Sequence, residues 1–581
     1  MKIMLVRFYA SASEQVRAES LILQALKSRL HDVTYVNCNK ALNDFCLNHY
    51  ISGLSFDSQE LEKNRVCNKC LDNSRFVSKN VNPANQVMVN KLIDPNHHQI
   101  LNEIANVNNS NWYNYELDNF KVGRIAFYEF ALRHKIFSLT IPDSLFPEYR
   151  NELRNVITVL SEARSILEKS KPDSLILYNS RYSVNNIFRK AAEHLNIPVY
   201  TLNFSGNWDS YTARSTLFKS EDDFFGISKS DEWNYFRDIT LNLSEICEVK
   251  DTLSSLVFPN NTWNWSTGSK LLNSEGLKKF FGINQEQKII VVTLSSADEL
   301  VALEVSEILK DRVGYQQGLN FADLEAWLSS ILLIADKNPS LFFIIRLHPR
   351  DFPGARNLKN ISEQGQRIEN FFLNKSIPNN VHVNYPNQNI SIYDIMRISH
   401  LLINQSSSVG AEFACFGIPV LHNNPQMLFA YPKELGNNLE NKEQFEETIF
   451  TMLNSQESLL LNRQLIAFRW MYFKFCRIGL EIKEVDPSII RKLTLVALKT
   501  SNSKATLARI LVTLYGKFAK SKRFEANIDF ERCIVLGLRG THELAYLTHK
   551  ELNIESRETA DHEGDIPKLA SGLLQNGRVG L

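Results

Sequence analysis

Basic side chains and an imidazole stand at the end of a strongly apolar run of the sequence. Residues 341–347 read LFFIIRL, and Arg346, His348 and Arg350 lie at the end of this run or directly after it. Guanidinium groups form paired hydrogen bonds with phosphate oxygens, and an imidazole N–H donates to the same kind of oxygen. The pattern therefore predicts an anion site, in which His348 helps a leaving group to carry negative charge. The alternative is a surface loop whose charges have no such role.

A second polar cluster follows the apolar run at 400–404. It consists of Ser406, Ser407, Ser408 and Glu412. Hydroxyls and backbone N–H groups at the start of a helix bind phosphate, and Glu412, one turn further along, is placed to accept hydroxyl groups of a ribose. The alternative is a serine that caps the helix, with Glu412 stabilising the helix dipole. Together, the two clusters predict a site for a nucleotide diphosphate or monophosphate.

Two polar residues follow an apolar run in the N-terminal half of the chain as well. Asn179 and Arg181 come directly after the run SLILY at 174–178. At the end of a strand, these side chains are placed to hold a carboxylate or the hydroxyl groups of a sugar. The ordinary start of a capped helix is the alternative.

A general base is needed if a hydroxyl group of an acceptor attacks the substrate. The candidates are Glu129, in the helical segment GRIAFYEFALRHK, and Asp298 with Glu299, which follow the apolar run at 288–294. Carboxylates of this kind also occur on the surfaces of helices without any catalytic role. The sequence therefore provides candidates for the base and does not choose among them.

Half of the eight cysteines lie in one short segment of the chain. Cys38, Cys46, Cys67 and Cys70 have the spacing C-x7-C-x20-C-x2-C, and a C-x2-C pair with two further thiolates suits tetrahedral zinc. Four thiolate ligands leave no open coordination position, so this zinc would be structural, and no catalytic metal is expected. An iron–sulfur cluster and plain reduced thiols are the alternatives. His49 is a substitute ligand.

Alternating helical and extended patterns surround these residues and predict an α/β protein. The predicted strands lie at 2–7, 32–37, 174–178, 197–202, 288–294, 341–347, 380–384, 400–404 and 418–422. The main predicted helices lie at 13–29, 123–138, 149–170, 183–195, 321–337, 391–398 and 408–416. These series form two tandem Rossmann-like, doubly wound domains, in which ligands bind beyond the carboxyl ends of the strands.

These patterns divide the chain into four parts. The predicted parts are an N-terminal α/β domain at 1–270 with a Cys-rich surface insertion at 38–70, a nucleotide-binding α/β domain at 276–440, a helical appendage at 441–555 and a disordered tail at 556–581. Between residues 487 and 524 the appendage contains nine basic residues and no acidic residue. This amphipathic stretch either lies on an anionic membrane surface or forms the solvated face of a packed helix.

The composition excludes several classes of protein. The 581 residues are 44% hydrophobic and contain 65 Lys and Arg against 64 Asp and Glu, which allows sizeable cores and gives no overall field that attracts nucleic acid. Since no apolar run is long enough for a transmembrane helix and no signal peptide is recognised, we expect a cytoplasmic protein. Binding through the basic stretch would place it at the cytoplasmic face of the inner membrane.

Two segments resemble a known family. The sequences IIRLHPRD and YDIMRISHLLINQSSSVGAEFACFGIPVLH are similar to the donor-binding half of GT-B glycosyltransferases, in particular the capsule-polysaccharide biosynthesis proteins that include bacterial Kdo transferases. Bacterial sialyltransferases and CDP-glycerol glycerophosphotransferases show a more distant resemblance. The resemblance implies that His348 and Ser406 to Ser408 contact the donor phosphate, and that Glu412 contacts the nucleotide sugar or its ribose.

The resemblance also implies a function, in which the domain at 1–270 is the acceptor side and the domain at 276–440 binds a nucleotide sugar. The expected enzyme moves a sugar from a nucleotide-activated donor, with CMP favoured, onto a glycan or glycolipid acceptor of a bacterial surface polysaccharide. The segment TLSSADE stands where retaining enzymes of this fold have a glycine-rich loop, which favours an inverting, metal-independent reaction. Alternatives are transfer of glycerol phosphate from CDP-glycerol, epimerisation of a nucleotide sugar, and a non-catalytic scaffold for polysaccharide assembly.

Overall fold

A computed structural model describes most of the chain. The described residues are 1–10, 19–20, 22–23, 26–27, 30–42, 44–79, 81–91, 97–204, 214–257, 272–308, 320–353, 361–423, 432–477, 480–481, 564, 566–567 and 569–570. The chain forms two compact units. Unit 1 consists of Met1–Glu129, Pro142–Glu221 and Lys474–Ile554, and unit 2 consists of Phe130–Ile141, Asp222–Phe473 and Glu555–Leu581.

Both units contain strands and helices. The strands are β1 (Lys2–Arg7), β2 (Asp32–Cys38), β3 (Gln86–Val89), β4 (Ser174–Tyr178), β5 (Val199–Phe204), β6 (Arg214–Phe218), β7 (Lys288–Thr293), β8 (Leu341–Arg346), β9 (Val381–Asn384), β10 (Leu401–Asn404), β11 (Val420–His422), β12 (Asn437–Asn438) and β13 (Leu480–Glu481). The α-helices with described bounds are α1 (Leu47–Ile51), α2 (Glu60–Ser78), α3 (His97–Ala105), α4 (Val122–His134), α5 (Phe146–Ser170), α6 (Ser183–His194), α7 (Glu221–Phe225), α8 (Asp231–Phe236), α9 (Leu243–Val257), α10 (Ser274–Phe281), α11 (Ala297–Val305), α12 (Leu324–Lys337), α13 (Glu363–Leu373), α14 (Ile392–Met396), α15 (Val409–Cys415), α16 (Phe445–Leu453) and α17 (Glu457–Tyr472).

The sheet of unit 2 is parallel throughout its described strands and has the order β12-β11-β10-β7-β8-β9. This is the Rossmann strand order. The chain builds the sheet outward from β7 in one direction as far as β9, and then returns to the other side of β7 to add β10, β11 and β12. The reversal lies between β7 and β10. A crevice opens at such a point beyond the carboxyl ends of the strands, so this edge of unit 2 is where a ligand is expected.

The sheet of unit 1 has the order β13-β6-β5-β4-β1-β2-β3. Strands β1 to β5 pair in parallel, and β6 and β13 add antiparallel pairs at one edge. The reversal of direction in this sheet lies between β1 and β4. These sheets confirm the predicted fold class. The chain is an α/β protein with two Rossmann-like units and further helices after the second sheet.

The core of unit 2 holds its strand ends in place. Every residue of β8 is buried, as expected for a strand covered on both faces. Asp323 caps the N-terminus of helix α12: its side chain accepts a hydrogen bond of 2.7 Å from the N–H of Ala326. The apolar face of α12 packs Trp327 and Ile331 into the same cluster as Phe343. Burying each such side chain contributes about 1.5–3 kcal/mol, which fixes the position of the loops that follow the strands.

The structure describes two further predicted segments, the second only in part. The segment 38–70 contains α1 and the first part of α2. Its residues 50–70 are exposed or half-buried except Cys67, whereas Cys46 and Cys67 are buried. In the tail predicted to be disordered, the described residues are partly helical, and Ile566 is buried.

Other predictions fall on parts of the chain for which the structure gives no description. The helix predicted at 13–29 lies mostly outside the described residues, and so does the basic stretch at 487–524. The three predicted domain boundaries stay predictions, and unit 2 contains residues 222–257 and 441–473 in addition to its sheet. Among the described helices, none is long and apolar enough to cross a membrane.

Candidate functional site

Three loops of unit 2 meet where its sheet reverses direction. Thr293, Arg346 and Asn404 end the adjacent strands β7, β8 and β10 and are partners in the strand register. The hydroxyl of Thr293 donates a hydrogen bond of 2.8 Å to Oδ1 of Asn404. In the loop after β7, the N–H of Ser295 donates to Oε1 of Gln405 at 2.9 Å. The two polar clusters predicted from the sequence therefore lie at the same edge of the sheet.

His348 lies in the loop after β8 and is held as a neutral hydrogen-bond donor. Its Nδ1 accepts a hydrogen bond of 3.3 Å from the backbone N–H of Arg350. Burial, with Arg350, Arg346 and Lys135 adding repulsion, lowers the pKa of His348 to about 3. A neutral imidazole with Nδ1 as acceptor carries its proton on Nε2. His348 can therefore donate to an anion through Nε2.

Arg346 is a buried cation at the end of β8. Its Nη1 donates a hydrogen bond of 2.6 Å to Oδ1 of Asn384, the last residue of β9. Burial lowers the pKa of Arg346 to about 10, and no carboxylate among the described residues forms an ion pair with it. A buried guanidinium without a counter-ion is unfavourable unless an anion binds. Arg346 is thus available to a phosphate group.

Arg350 and Asp298 form an ion pair within the site. Nη2 of Arg350 lies 2.6 Å from Oδ2 of Asp298, which is 3% exposed. Oδ1 of the same carboxylate accepts from the hydroxyl of Ser296 at 2.6 Å and from the N–H of Glu299 at 2.9 Å. Both carboxylate oxygens of Asp298 already accept hydrogen bonds within the protein, so neither is free to take a proton from an acceptor hydroxyl. The pair also leaves Arg350 less available to a phosphate than Arg346.

Asp351 is a buried carboxyl group that sequence reasoning missed. Burial raises the pKa of Asp351 to about 7, although the hydroxyls of Ser362 and Ser296 donate to it at 2.7 and 3.1 Å. Lys135, whose ammonium group donates to the carbonyl of Arg350 at 2.5 Å, lies near this carboxyl. The only sequence signal for Asp351 is its place in RLHPRD, next to the basic residues.

Asn404 shapes the serine-rich loop after β10. Its Oδ1 accepts from the N–H of Ser407 at 3.0 Å, and its Nδ2 donates to the carbonyl of Ser407 at 2.8 Å. Ser408 precedes α15, but its side chain makes no capping hydrogen bond. The alternative reading of Ser408 as an ordinary cap is therefore not what the structure shows. Ser406 is buried in the same loop.

Glu412 lies on α15 and is held by a tyrosine that the sequence analysis did not select. The hydroxyl of Tyr393, on α14, donates a hydrogen bond of 2.8 Å to Oε2 of Glu412. Both side chains are buried. This contact fixes the carboxylate at the same sheet edge as the serine loop, since α15 begins directly after that loop.

Ser295 provides a further polar group at the reversal point. It is 8% exposed, and its hydroxyl has no hydrogen-bond partner in the part of the chain that the structure describes. It lies in the short loop between the end of β7 and the start of α11. The first turn of α11 has backbone N–H groups without partners inside the helix. A buried hydroxyl without a partner is expected to bind a ligand or water.

In unit 1, Asn179 and Arg181 lie together after β4. Asn179 adopts a left-handed backbone conformation with φ of 47°, which asparagine tolerates better than most residues. Its Oδ1 accepts from Nε of Arg181 at 3.0 Å and from the N–H of Arg181 at 3.2 Å. Asn179 therefore positions the guanidinium of Arg181 at the carboxyl edge of the sheet.

Glu129 is buried in unit 1, on α4. The hydroxyl of Tyr9, which follows β1, donates a hydrogen bond of 2.8 Å to Oε1 of Glu129. The backbone N–H of Glu129 donates to the hydroxyl of Ser183, the first residue of α6, at 3.3 Å. Glu129 thus lies near the reversal point between β1 and β4.

The four clustered cysteines lie close together in unit 1. Burial raises the pKa of Cys46 well above its ordinary value, and Cys38, Cys67 and Cys70 each raise it further. Sγ of Cys67 lies 3.4 Å from Nε2 of His49. Among the described residues, no three His, Cys, Asp or Glu side chains are arranged to hold a metal ion as they stand. Zinc binding therefore stays a prediction.

His49 uses both ring nitrogens within the protein. Its Nδ1 accepts from the backbone N–H of Cys46 at 3.1 Å, and its Nε2 lies 3.1 Å from the carbonyl oxygen of Lys63. In the neutral form Nε2 therefore donates to that carbonyl. This arrangement does not favour His49 as a substitute metal ligand.

No protein-family model matches the chain, and no curated protein matches it in sequence. Solved structures with some similarity include KpsC of Thermosulfurimonas dismutans, a beta Kdo 2,4 transferase, at 9% identity and a TM-score of 0.32, covering 56% of this chain and 87% of that one. The UDP-GlcNAc 2-epimerase of Neisseria meningitidis, bound to UDP-GlcNAc, has 14% identity and a TM-score of 0.28, covering 81% of this chain and 96% of that one.

A third similar structure is the spinosyn rhamnosyltransferase SpnG in complex with thymidine diphosphate. It has 12% identity and a TM-score of 0.26, and the alignment covers 85% of this chain and 100% of that one. Similarities at these identities and TM-scores carry no argument about activity or substrate. The function of this protein has to be inferred from its own residues.

Proposed function

We propose that the protein is a GT-B glycosyltransferase in which unit 2 binds the phosphate of a nucleotide-activated sugar. The observation that best supports this proposal is the pairing of Arg346 with His348 after β8. One side chain is a buried cation without a carboxylate partner among the described residues, and the other is a neutral donor held with Nε2–H available. Both lie at the end of β8, the strand beside β7, and the reversal between β7 and β10 is where such folds bind nucleotides.

The charge balance around His348 supports an anionic ligand. Asp298 and Glu299 act on Arg350 and offset its charge. Arg346 has no carboxylate partner among the described residues, and the ammonium group of Lys135 donates to the carbonyl of Arg350. Arg346, Arg350 and Lys135 all act on the ring of His348. A phosphate group would give Arg346 a charged hydrogen-bond partner.

In the proposed reaction, this chain stabilises the leaving nucleotide. Negative charge develops on the phosphate oxygen as the bond to the sugar breaks, and the N–H of His348 donates to an oxygen of that phosphate. Arg346 stabilises the same charge. Because both groups are fixed before the reaction, no reorganisation is needed as charge develops, and one such donor accelerates related reactions by about 10²–10³-fold.

We assign the acceptor to unit 1, where Asn179 and Arg181 are the proposed binding residues. Glu129 is the proposed general base, since Asp298 is already engaged by Arg350 and Ser296. The proposed acceptor is a glycan or glycolipid of a bacterial surface polysaccharide, the proposed donor carries CMP, and the proposed reaction inverts the configuration of the sugar without a catalytic metal. Contact of the basic stretch at 487–524 with the inner membrane remains part of this proposal.

The first test is a thermal-shift panel with CMP, CDP, UDP, GDP and ADP, because a ligand that binds only the folded state raises the melting temperature. We expect one nucleotide to raise the melting temperature of the wild type and to have little effect on Arg346→Ala. The matched control is Arg367→Ala, since Arg367 pairs with Glu325 on the surface of unit 2. No shift with any nucleotide would contradict the proposal and favour the scaffold alternative.

A second experiment separates sugar transfer from transfer of glycerol phosphate. The protein is incubated with CMP-activated sugars or with CDP-glycerol, and the released nucleotide is identified. Sugar transfer releases CMP from a CMP-sugar and requires His348. Release of CMP from CDP-glycerol alone would contradict glycosyl transfer, because that product requires attack at phosphorus.

A further inference from the structure

Asn423 is a second polar residue at the reversal edge of unit 2, and among the described residues its side chain has no hydrogen-bond partner. It follows β11 directly, and its backbone N–H donates to the carbonyl of Asn404 at 3.0 Å. That contact places Asn423 beside the end of β10, where the serine-rich loop begins. It therefore belongs to the same edge of the sheet as Arg346 and His348.

The Asn423 amide is fully buried, and both of its polar atoms lack a partner. The residue is 1% exposed, and neither Oδ1 nor Nδ2 has a hydrogen bond. Its backbone is satisfied on both sides, because its carbonyl also accepts from Nδ2 of Asn320 at 3.4 Å. Burying an amide without partners is unfavourable, and buried amides in proteins are nearly always bonded to protein, water or ligand.

Other asparagines of unit 2 show how the fold satisfies such groups. Nδ2 of Asn380 donates to three carbonyl oxygens, those of Ala335, Asn338 and Leu341, at 2.8 to 3.1 Å. The amide of Asn404 is bonded through both Oδ1 and Nδ2. The amide of Asn423 differs from these amides because it makes no hydrogen bond within the described residues. Asn423 also lies at the edge of the sheet where a ligand is expected.

The hydroxyl of Ser295 is a second buried group without a partner at this edge. It follows β7, and β10 lies between β7 and β11 in the sheet. Unsatisfied donors and acceptors thus flank the serine-rich loop on both sides. Arg346 and His348 are suited to bind the phosphate of a ligand, whereas the amide of Asn423 is suited to a neutral group that has both a hydrogen-bond donor and an acceptor.

We propose that Asn423 determines the specificity of the site for the base of the donor nucleotide, through one donated and one accepted hydrogen bond. A primary amide offers a coplanar donor and acceptor, which match a base edge that carries an acceptor beside a donor. This inference rests on the proposed function and adds the subsite for the base. Sugar hydroxyls also combine donors and acceptors, and the experiment separates the two.

The test compares Asn423→Leu, which keeps a similar volume and removes both polar atoms, with the wild type. Binding of CMP, UMP, GMP, AMP and inorganic pyrophosphate is measured by calorimetry, together with the unfolding of the free protein. We expect the preferred nucleotide to bind at least about tenfold more weakly to the variant. Binding of pyrophosphate, which has no base or sugar, stays within twofold, and the free variant is as stable as the wild type or more stable.

Two further variants make the test specific. Asn380→Leu is the matched control, because it removes a satisfied amide: we expect it to lower stability and to leave the order of nucleotide affinities unchanged. Asn423→Asp replaces the donor by a second acceptor. We expect it to shift the preference toward GMP, since guanine presents two adjacent donors on its pairing edge.

Each remaining outcome would overturn the inference. If Asn423→Leu lowers stability and leaves nucleotide affinity unchanged, the amide serves the fold. If the variant weakens all four nucleotides equally and Asn423→Asp leaves their order unchanged, the amide contacts the sugar. If the wild type binds pyrophosphate or a nucleotide and both Asn423 variants bind it with the same affinity, only this inference is overturned. A wild type that binds none of these ligands overturns the proposed function together with it.

Discussion

The backbone N–H of Arg350 donates to Nδ1 of His348 at 3.3 Å. The contact is local in the chain, but it decides which ring nitrogen carries the proton. The three cations that lie near the ring further disfavour a second proton, and the pKa of His348 is lowered to about 3 by burial and by these charges. His348 is therefore a donor of fixed orientation in the free protein.

The first prediction concerns the pH dependence of stability. The pKa of His348 is about 3 in the folded protein, against an ordinary value of 6.5 for the unfolded chain. Between pH 3 and pH 6.5, the unfolded chain therefore binds more protons than the folded protein. Stability should therefore fall as the pH falls from 6.5 toward 3. His348→Gln keeps an N–H donor and does not titrate. Denaturant unfolding between pH 3.5 and 7 should show a smaller loss for this variant, and parallel curves would contradict the assignment.

The second prediction concerns Asp351, whose contribution to stability changes with pH in the opposite direction. Burial raises the pKa of Asp351 to about 7 from its ordinary value of 3.8, so the folded protein binds the extra proton between these values. Asp351 should therefore reduce stability as the pH rises from 4 to 7. Asp351→Asn should remove this loss and be more stable than the wild type above pH 7. Asp336→Asn, at an exposed position on α12, is the control that should leave the profile unchanged.

The third prediction distinguishes a structural role of Asp298 from catalysis. Its carboxylate pairs with Arg350 at 2.6 Å in a buried position, and removing one partner of such a pair typically costs about 3–5 kcal/mol. Asp298→Asn should therefore lower the free energy of unfolding, while the pH profile of the remaining transfer keeps its shape. If the variant is stable and the acidic limb of the profile disappears, Asp298 is the base instead.

The site clusters could be predicted from sequence because each follows an apolar run directly. In a Rossmann-like sheet, the ends of such runs meet at one edge, so LFFIIRL and HLLIN were sufficient to bring His348 and Ser406 together. The pairing of Arg350 with Asp298 could not be predicted, since it joins positions 52 residues apart. Local sequence patterns contain no information about which of several nearby carboxylates a guanidinium will choose.

The unsatisfied amide of Asn423 could not be predicted from sequence either. Two asparagines follow β11 in the sequence HNN, and asparagine after a strand is typical of an ordinary turn. Only the structure shows that Asn423 is buried and has no partner.

The last prediction concerns the four cysteines of unit 1. Their sulfurs accept hydrogen bonds from N–H groups: Cys70 from Ala10 at 3.4 Å and from Asn48 at 3.1 Å, and Cys38 from the backbone of two residues that follow it. Donors of this kind stabilise metal-bound thiolates. We expect about one zinc per chain in protein purified without chelator, measured by elemental mass spectrometry.

The variants decide whether this zinc is bound by the cluster. Cys67→Ser should lose the zinc and unfold at lower temperature, whereas Cys415→Ser, which changes a buried cysteine of unit 2, should keep it. Because four thiolate ligands leave no open coordination position, removal of zinc should reduce transfer only as far as it unfolds the protein. Protein that holds no zinc and has four titratable thiols in the cluster would contradict the prediction and leave Cys38, Cys46, Cys67 and Cys70 as reduced side chains of the packed core.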